Sequence, residues 1–209
     1  MKKPFLLPLF AMFLAFCGFA SAQSVDTSSP DVMIKTVTQQ VLDEIKSDPK
    51  IESGDINKIT ELVNQKILPY TDFTHTTRLV MGRNWNTATP EQQKQIVEQF
   101  KMLLIRTYSG ALAQVRNQTV QYKPLRANPD DTDVVVRSVV MNNGQPVELD
   151  YRLYKTPQGW RVYDINVLGA WLIQAYQQQF NEQIQQHGVN DLVQFLTQRN
   201  RQLASGKAS

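Results

Sequence analysis

Between Thr119 and Val167 the chain changes its apolar period, and that change limits the fold more than any other feature of the sequence. Val147, Leu149, Tyr151 and Leu153 alternate with Glu148, Asp150, Arg152 and Tyr154. Alternation of this kind marks a half-buried strand, because successive strand side chains point to opposite faces. Asn142-Asn143-Gly144 precedes the run and tolerates the positive φ of a tight hairpin turn, and Pro157-Gln158-Gly159 follows it. The spacing predicts four strands: Thr119 to Leu125, Asp133 to Met141, the run from Val147, and Trp160 to Val167. Turns this short pair each strand with its sequence neighbour, so the predicted sheet is an antiparallel meander.

Helical stripes flank the strands. Before them, Ile34, Val37, Val41 and Ile45 follow a cap at Asp31, and Asp48-Pro49 breaks the stripe. Asp55 caps a second stripe of Ile56, Ile59, Val63 and Ile67 that Pro69 stops, and a short helix from Phe73 to Val80 ends at Gly82. Thr89-Pro90-Glu91-Gln92 combines an N-cap, a proline at the first helical position and a capping-box glutamine. The helix it starts is predicted to reach about Val115 and to be the central one. After the strands, Gly169 opens a helix bearing Leu172, Ile173, Tyr176, Phe180 and Ile184, which ends at His187-Gly188, and Asn190 caps the last helix. Helices, four strands, then helices specify the α+β class, with helices covering an antiparallel sheet. A curved sheet wrapped in this way can enclose an internal apolar pocket open at one end.

The N-terminus predicts export. Lys2 and Lys3 precede an apolar run from Phe5 to Phe19, and Ala20-Ser21-Ala22 offers a small-residue cleavage site. Residues 1–22 therefore read as a signal peptide, too short to be a comfortable membrane span. Residues 23–204 form one α+β domain (helical 31–116, sheet 118–167, helical 169–204), and 205–209 a flexible tail. Cys17 leaves with the leader, so the mature chain has no disulfide, thiolate nucleophile or cysteine-ligated metal. Two of the 22 basic residues leave as well, and 20 then face 19 acidic ones, a balance that argues against nucleic acid as the main partner.

A search for catalytic chemistry finds little. His75 and His187 each lack a second ligand at metal-binding spacing, and Asp130, Asp131 and Asp133 fit a solvated loop better than a calcium site. No P-loop, dinucleotide fingerprint or G-x-S-x-G elbow is present. Asp164 alternates with Val162 and Trp160 and would share their inward face. With Tyr163 it suggests an isomerase-like carboxylate base. The plainer expectation is an ion pair with Arg152 or Arg137 across the sheet, with Tyr163 pointing to the opposite face.

The chain resembles the MlaC-type toluene-tolerance family of periplasmic phospholipid carriers, from about Val32 to Leu203. Three segments carry the resemblance. They are Ile67-Leu68-Pro69-Tyr70-Thr71-Asp72-Phe73 with Leu79-Val80-Met81-Gly82, then Trp85-Asn86-Thr87-Ala88-Thr89-Pro90-Glu91-Gln92-Gln93 leading to Phe100, Leu104, Tyr108 and Ala111-Leu112, and finally Gly159-Trp160-Arg161-Val162-Tyr163-Asp164-Ile165 running into Val167-Leu168-Gly169. One departure stands out: Leu168 and Ala170-Trp171 replace the family's acidic residue and Val-Ser pair. The resemblance implies a fold related to the NTF2-like cone and an acyl pocket between sheet and helices. It also implies traffic between an outer-membrane lipoprotein complex and an inner-membrane ABC transporter complex of the lipid-asymmetry pathway. The carrier would be monomeric and non-enzymatic, with transient membrane proximity only, phospholipid as cargo and no cofactor. The inward faces nominate Val80, Phe100, Leu104, Tyr108, Val136, Leu149, Tyr151, Val162, Leu172, Tyr176 and Phe180 as the lipid-binding wall. Two alternatives stay open: an NTF2-like isomerase or hydratase using Asp164, and a structural adaptor with a filled core.

Overall fold

A computed structural model describes residues 25–115, 118–142 and 144–205. The proposed leader and most of the tail lie outside the described residues. Helix α1 spans Pro30–Ser47, with Ser29 at its N-cap and Pro30 at the first helical position. Asp48 then ends it and caps the single turn α2, Pro49–Glu52. Asp55 accepts the amides of Asn57 and Lys58 to start α3, Ile56–Leu62, which loosens into a π turn at Val63–Ile67 and a 3₁₀ turn at Leu68–Tyr70. Asp72 caps α4, Phe73–Met81, and Gly82 leaves it at φ 56°. The capping box at Thr89 and Gln92 is formed in both directions and starts α5, Pro90–Ala113.

Five strands follow in sequence order: β1 Thr119–Tyr122, β2 Asp133–Asn142, β3 Gln145–Thr156, β4 Gly159–Val167 and β5 Ala170–Trp171. All neighbours pair antiparallel, as a meander requires. The fifth strand corrects the expectation of four strands and of a helix opening at Gly169. Leu168 and Gly169 both sit at positive φ, 54° and 87°, and form a two-residue turn. The turn folds Ala170–Trp171 back onto Asn166–Val167 before α6, Leu172–His187, can begin. Turns of this kind favour Asn-Gly, so a leucine at the first position concealed it. The last helix, α7, covers Val189–Ala204, and its N-cap is Gly188 rather than Asn190.

Register divides the sheet into two faces. The inner face carries Val120 and Tyr122 from β1, Val134, Val136, Ser138 and Val140 from β2, and Val147, Leu149, Tyr151 and Leu153 from β3. Trp160, Val162, Ile165 and Val167 complete it from β4. Helix α1 lies against one half, where Met33 and Ile34 close over Val134, Val136, Leu153, Trp160 and Val162. Helices α4 to α7 build a second core around Phe100, Phe180, Leu192 and Leu196, and α2, α3 and α5 a third around Ile51, Ile59 and Ile105. No helix of the described residues is long and apolar enough to cross a membrane.

The start of the described chain is tied to the sheet edge. Trp160 donates its amide to the Thr27 carbonyl at 2.8 Å, beside Gly159 at φ 100°. A Cβ at Gly159 would stand 2.3 Å from Thr27 Oγ1 and 2.6 Å from its carbonyl oxygen, so only glycine permits the approach.

Candidate functional site

The packed cores leave the other half of the inner face only partly covered. Three rungs cross it in register: Val120–Val140–Val147, Tyr122–Ser138–Leu149–Val167 and Val136–Tyr151–Ile165. Ser138 and Val136 are buried, and the remaining members are half-buried. Tyr151 is the telling residue. Its side chain is half-buried, and burial pushes its hydroxyl pKa well above the ordinary tyrosine value. Val37 of α1 and Tyr70 of the 3₁₀ turn pack against the core beneath α1, which Tyr122, Tyr151 and Ile165 of these rungs also border. A groove of about 1140 Å³ between α1 and β1 takes in Tyr70, Val120 and Tyr122 at the edge of these rungs, and Lys35, Lys46, Lys66, Asp43 and glutamines supply much of the rest of its lining.

The sequence-nominated wall residues fall into two sets. Val80, Phe100 and Phe180 are fully buried in the helical core, where the Phe100 ring meets Phe73, Tyr176 and Phe180 at 5.4, 5.0 and 5.0 Å. Val136 and Val162 are closed off beneath α1, and Leu172 is buried at the start of α6. Leu104, Tyr108, Leu149, Tyr151 and Tyr176 remain half-buried. Val120, Tyr122, Val147, Ile165, Val167, Val37 and Tyr70 join the candidate surface without having been nominated. The Val147–Leu149–Tyr151 alternation identified its face, but the rungs from β1 and β4 depend on a register that turns and a bulge set.

That bulge lies at Tyr163. Arg152 pairs with Asp164 and Leu153 with Val162, so Tyr163 is an extra residue on β4. The alternation of Trp160, Val162 and Asp164 is broken there. Asp164 lies on the outer face with Arg152, away from Val162, which corrects the expected inward orientation. Tyr163 shares that outer face, so its separation from Asp164 by strand alternation also fails. Bonding keeps the two apart instead. The Tyr163 hydroxyl donates to Asp133 Oδ2 at 2.8 Å, and burial, then that carboxylate, push its pKa up.

Asp164 is 2% exposed and fully engaged. Its Oδ2 accepts Arg152 Nη1 at 3.1 Å, and its Oδ1 accepts the amides of Ile165 and Ile173, each at 3.0 Å. The Arg152 guanidinium in turn lies 3.9 Å from the Trp171 ring centroid. Nearby, Asp72 caps α4 through the His75 amide and accepts the Tyr154 hydroxyl at 2.5 Å. Burial first and that carboxylate second push Tyr154 up to about 12. His75 packs its ring 4.9 Å from Tyr154 and 5.7 Å from Tyr163. Among the described residues no group of His, Cys, Asp or Glu is placed to hold a metal ion.

Fold and site define an α+β protein in which helices wrap a five-stranded meander and leave half of one sheet face partly open. Comparison with known proteins narrows the class. The MlaC protein family matches residues 35–198, so the chain belongs to the MlaC family. The toluene tolerance protein ttg2D of Pseudomonas putida is 26% identical over 170 residues, covering 81% of this chain and 79% of that protein. The intermembrane phospholipid transport system binding protein MlaC of Haemophilus influenzae is 21% identical over 197 residues, covering 92% and 91%. A solved phospholipid-binding protein from Ralstonia solanacearum, in complex with a phospholipid, is 57% identical with a TM-score of 0.83 and covers 85% of this chain and 99% of its own.

Proposed function

We propose that this protein binds a phospholipid by its acyl chains and carries it through the periplasm. In this reading lipid moves between an outer-membrane lipoprotein complex and an inner-membrane ABC transporter complex. The observation that carries the reading is the half-covered inner face, in a chain so similar to a phospholipid-bound structure. The rungs around Leu149 and Tyr151 form the floor of the pocket, and Leu104, Tyr108 and Tyr176 line its helical side, as in an NTF2-like cone with added helices. The fully buried Val80, Phe100 and Phe180 support that wall from behind.

Energetics explain why such a pocket suffices. Each buried CH₂ contributes about 0.8 kcal/mol, so two chains with about 30 such groups carry roughly 24 kcal/mol of transfer free energy. A carrier must offer a comparably apolar surface, or extraction from a bilayer stalls. The head group stays in water. Direction comes from the partner complexes, because the sequence has no nucleotide-binding motif with which to drive it. The carrier reading needs no catalysis and no cofactor, and it has the protein exported by a cleaved leader as a monomer.

Native mass spectrometry of protein secreted by a Gram-negative host tests the proposal. The expected spectrum has an added mass that organic extraction removes and identifies as glycerophospholipid. Folded, monodisperse protein with no lipid overturns the reading. Leu149→Arg places a charge on the pocket floor and is expected to abolish retention with the helical spectrum intact.

A further inference from the structure

Sequence order and pairing bring the β2–β3 turn and the β4–β5 turn to the same end of the sheet, opposite the end clasped by Thr27. Two apolar rungs of the half-covered inner face lie at that end, Val120–Val140–Val147 and Tyr122–Ser138–Leu149–Val167. Leu168 projects there from the β4–β5 turn, 73% exposed at φ 54°, followed by exposed Gly169 and Ala170. Among the described residues the other exposed large apolar side chain is Val32, at 41%. Charge is missing from the same region: residues 138–147 and 165–181 contain no Asp, Glu, Lys, Arg or His, in a chain with 22 basic and 19 acidic residues. Charges that border the turn are neutralised internally. Glu148, whose carbonyl accepts the Leu168 amide at 3.2 Å, pairs its carboxylate with Lys123 at 3.6 Å. Arg152, stacked on Trp171, pairs with Asp164.

We propose that the Leu168–Gly169 turn is the contact that lays this end of the protein against a phospholipid bilayer while lipid is exchanged, a refinement that rests on the carrier reading above. Folding alone does not favour leucine here. The left-handed turn is strained for it, water meets most of its side chain, and asparagine suits the position better. Strain of this kind persists where function uses it. A charged partner surface would find nothing to pair with at the turn. Hydrocarbon, in contrast, accepts an apolar tip ringed by neutral side chains without stranding a charge. The magnitude also suits a carrier. Burying the exposed part of one leucine gains about 10-fold in binding, less than a single acyl anchor, which itself binds only reversibly. One leucine therefore selects the end of the protein that meets the bilayer and leaves the protein free to depart. Val167, the preceding residue, belongs to the proposed pocket floor, so lipid that leaves the bilayer at the turn meets that floor first.

The experiment mixes purified protein with vesicles of phosphatidylethanolamine and phosphatidylglycerol that hold a self-quenched fluorescent phospholipid, and follows dequenching as labelled lipid moves onto the protein. Leu168→Asn is expected to reach the parental occupancy at a rate about 3- to 10-fold lower. Leu168→Met keeps an apolar tip in the same strained turn and is expected to exchange within about twofold of the parent. A purely structural role for Leu168 would leave the rate of the Asn variant at the parental value. That result overturns the proposal, whether the tip meets a protein or nothing at all, and so does a Met variant as slow as the Asn variant. Parent protein that purifies with lipid yet takes up none from vesicles overturns the bilayer contact alone. Parent protein that neither purifies with lipid nor takes it up overturns the carrier reading itself, and so tells the two failures apart.

Discussion

The Asp164 carboxylate accepts the backbone amide of Ile173 at 3.0 Å, so a strand side chain caps a helix that begins only after the intervening hairpin. Trp171, at the helix's own N-cap position, supplies no side-chain bond. Capping and ion pairing are separable by mutation. Asp164→Ala leaves the amides of Ile165 and Ile173 without their acceptor and is expected to cost about 2–4 kcal/mol. Asp164→Asn keeps an acceptor oxygen and loses only the pairing with the partly exposed Arg152, at about 1–2 kcal/mol. Equal losses in thermal or denaturant unfolding would show that the cap contributes nothing.

The same carboxylate gives a signed pH effect. Burial holds its pKa above the ordinary carboxylate value, against the bonds from Ile173 and Arg152 that pull it down. The folded state then takes up this proton at higher pH than the unfolded chain does. Stability from this site is complete below the unfolded value of 3.8 and is lost as pH rises through the folded pKa. The stability advantage of the parent protein over Asp164→Asn is therefore expected to widen between neutral pH and pH about 4. A gap that narrows contradicts the assignment.

Leu168 is 73% exposed and is the one non-glycine among the described residues at positive φ. It sits at the first position of a two-residue turn that suits asparagine. Leu168→Asn is expected to raise stability by about 0.5–1 kcal/mol by relieving left-handed strain. An unchanged or lower midpoint of unfolding counts against that strain.

Gly159→Ala tests the junction with Thr27. The new methyl meets backbone as well as side chain, at a φ that alanine rarely adopts. A loss of about 2–3 kcal/mol is expected, with faster amide exchange at Trp160. Normal protection there would mean the strap is dispensable.

Two apolar truncations should have different consequences. Phe100→Ala empties the centre of the helical core and is expected to cost about 3–5 kcal/mol. Leu149→Ala removes a half-buried side chain from the proposed pocket floor and is expected to cost under about 1.5 kcal/mol while weakening lipid retention. Unfolding and retention measured side by side check both.

These contrasts also mark what the sequence made legible. Local chemistry was readable in several places: the Thr89–Gln92 box, the Asp55 cap, the Asp48-Pro49 break and the Gly144 hairpin formed, whereas the caps expected at Asp31 and Asn190 fall instead on Ser29 and Gly188. The Leu168-Gly169 turn was not readable, because tertiary context holds a leucine where propensity would choose asparagine. The bulge at Tyr163 was invisible for a related reason. Trp160, Val162, Asp164 and Asn166 all become buried, so their alternation looks unbroken, while the backbone turns Asp164 to the other face. In the candidate site, Leu149 and Tyr151 came from periodicity alone. Tyr122, Ile165 and Val37 joined them only through strand register and the path of α1, which no local pattern encodes.

The clasp between Thr27 and the β3–β4 hairpin has a consequence for timing. Thr27 donates its hydroxyl to the carbonyl of Gln158, 131 residues further along the chain, and gives its own carbonyl to Trp160. During synthesis this early segment waits for its partner until three strands of the sheet have been made. The same holds for Met33 and Ile34, whose contacts on Leu153, Trp160 and Val162 do not yet exist. Contacts this distant in sequence form late because the loop must close first. Helix α1, the first of the described helices to emerge, is thus expected to be among the last elements seated over the inner face of the sheet.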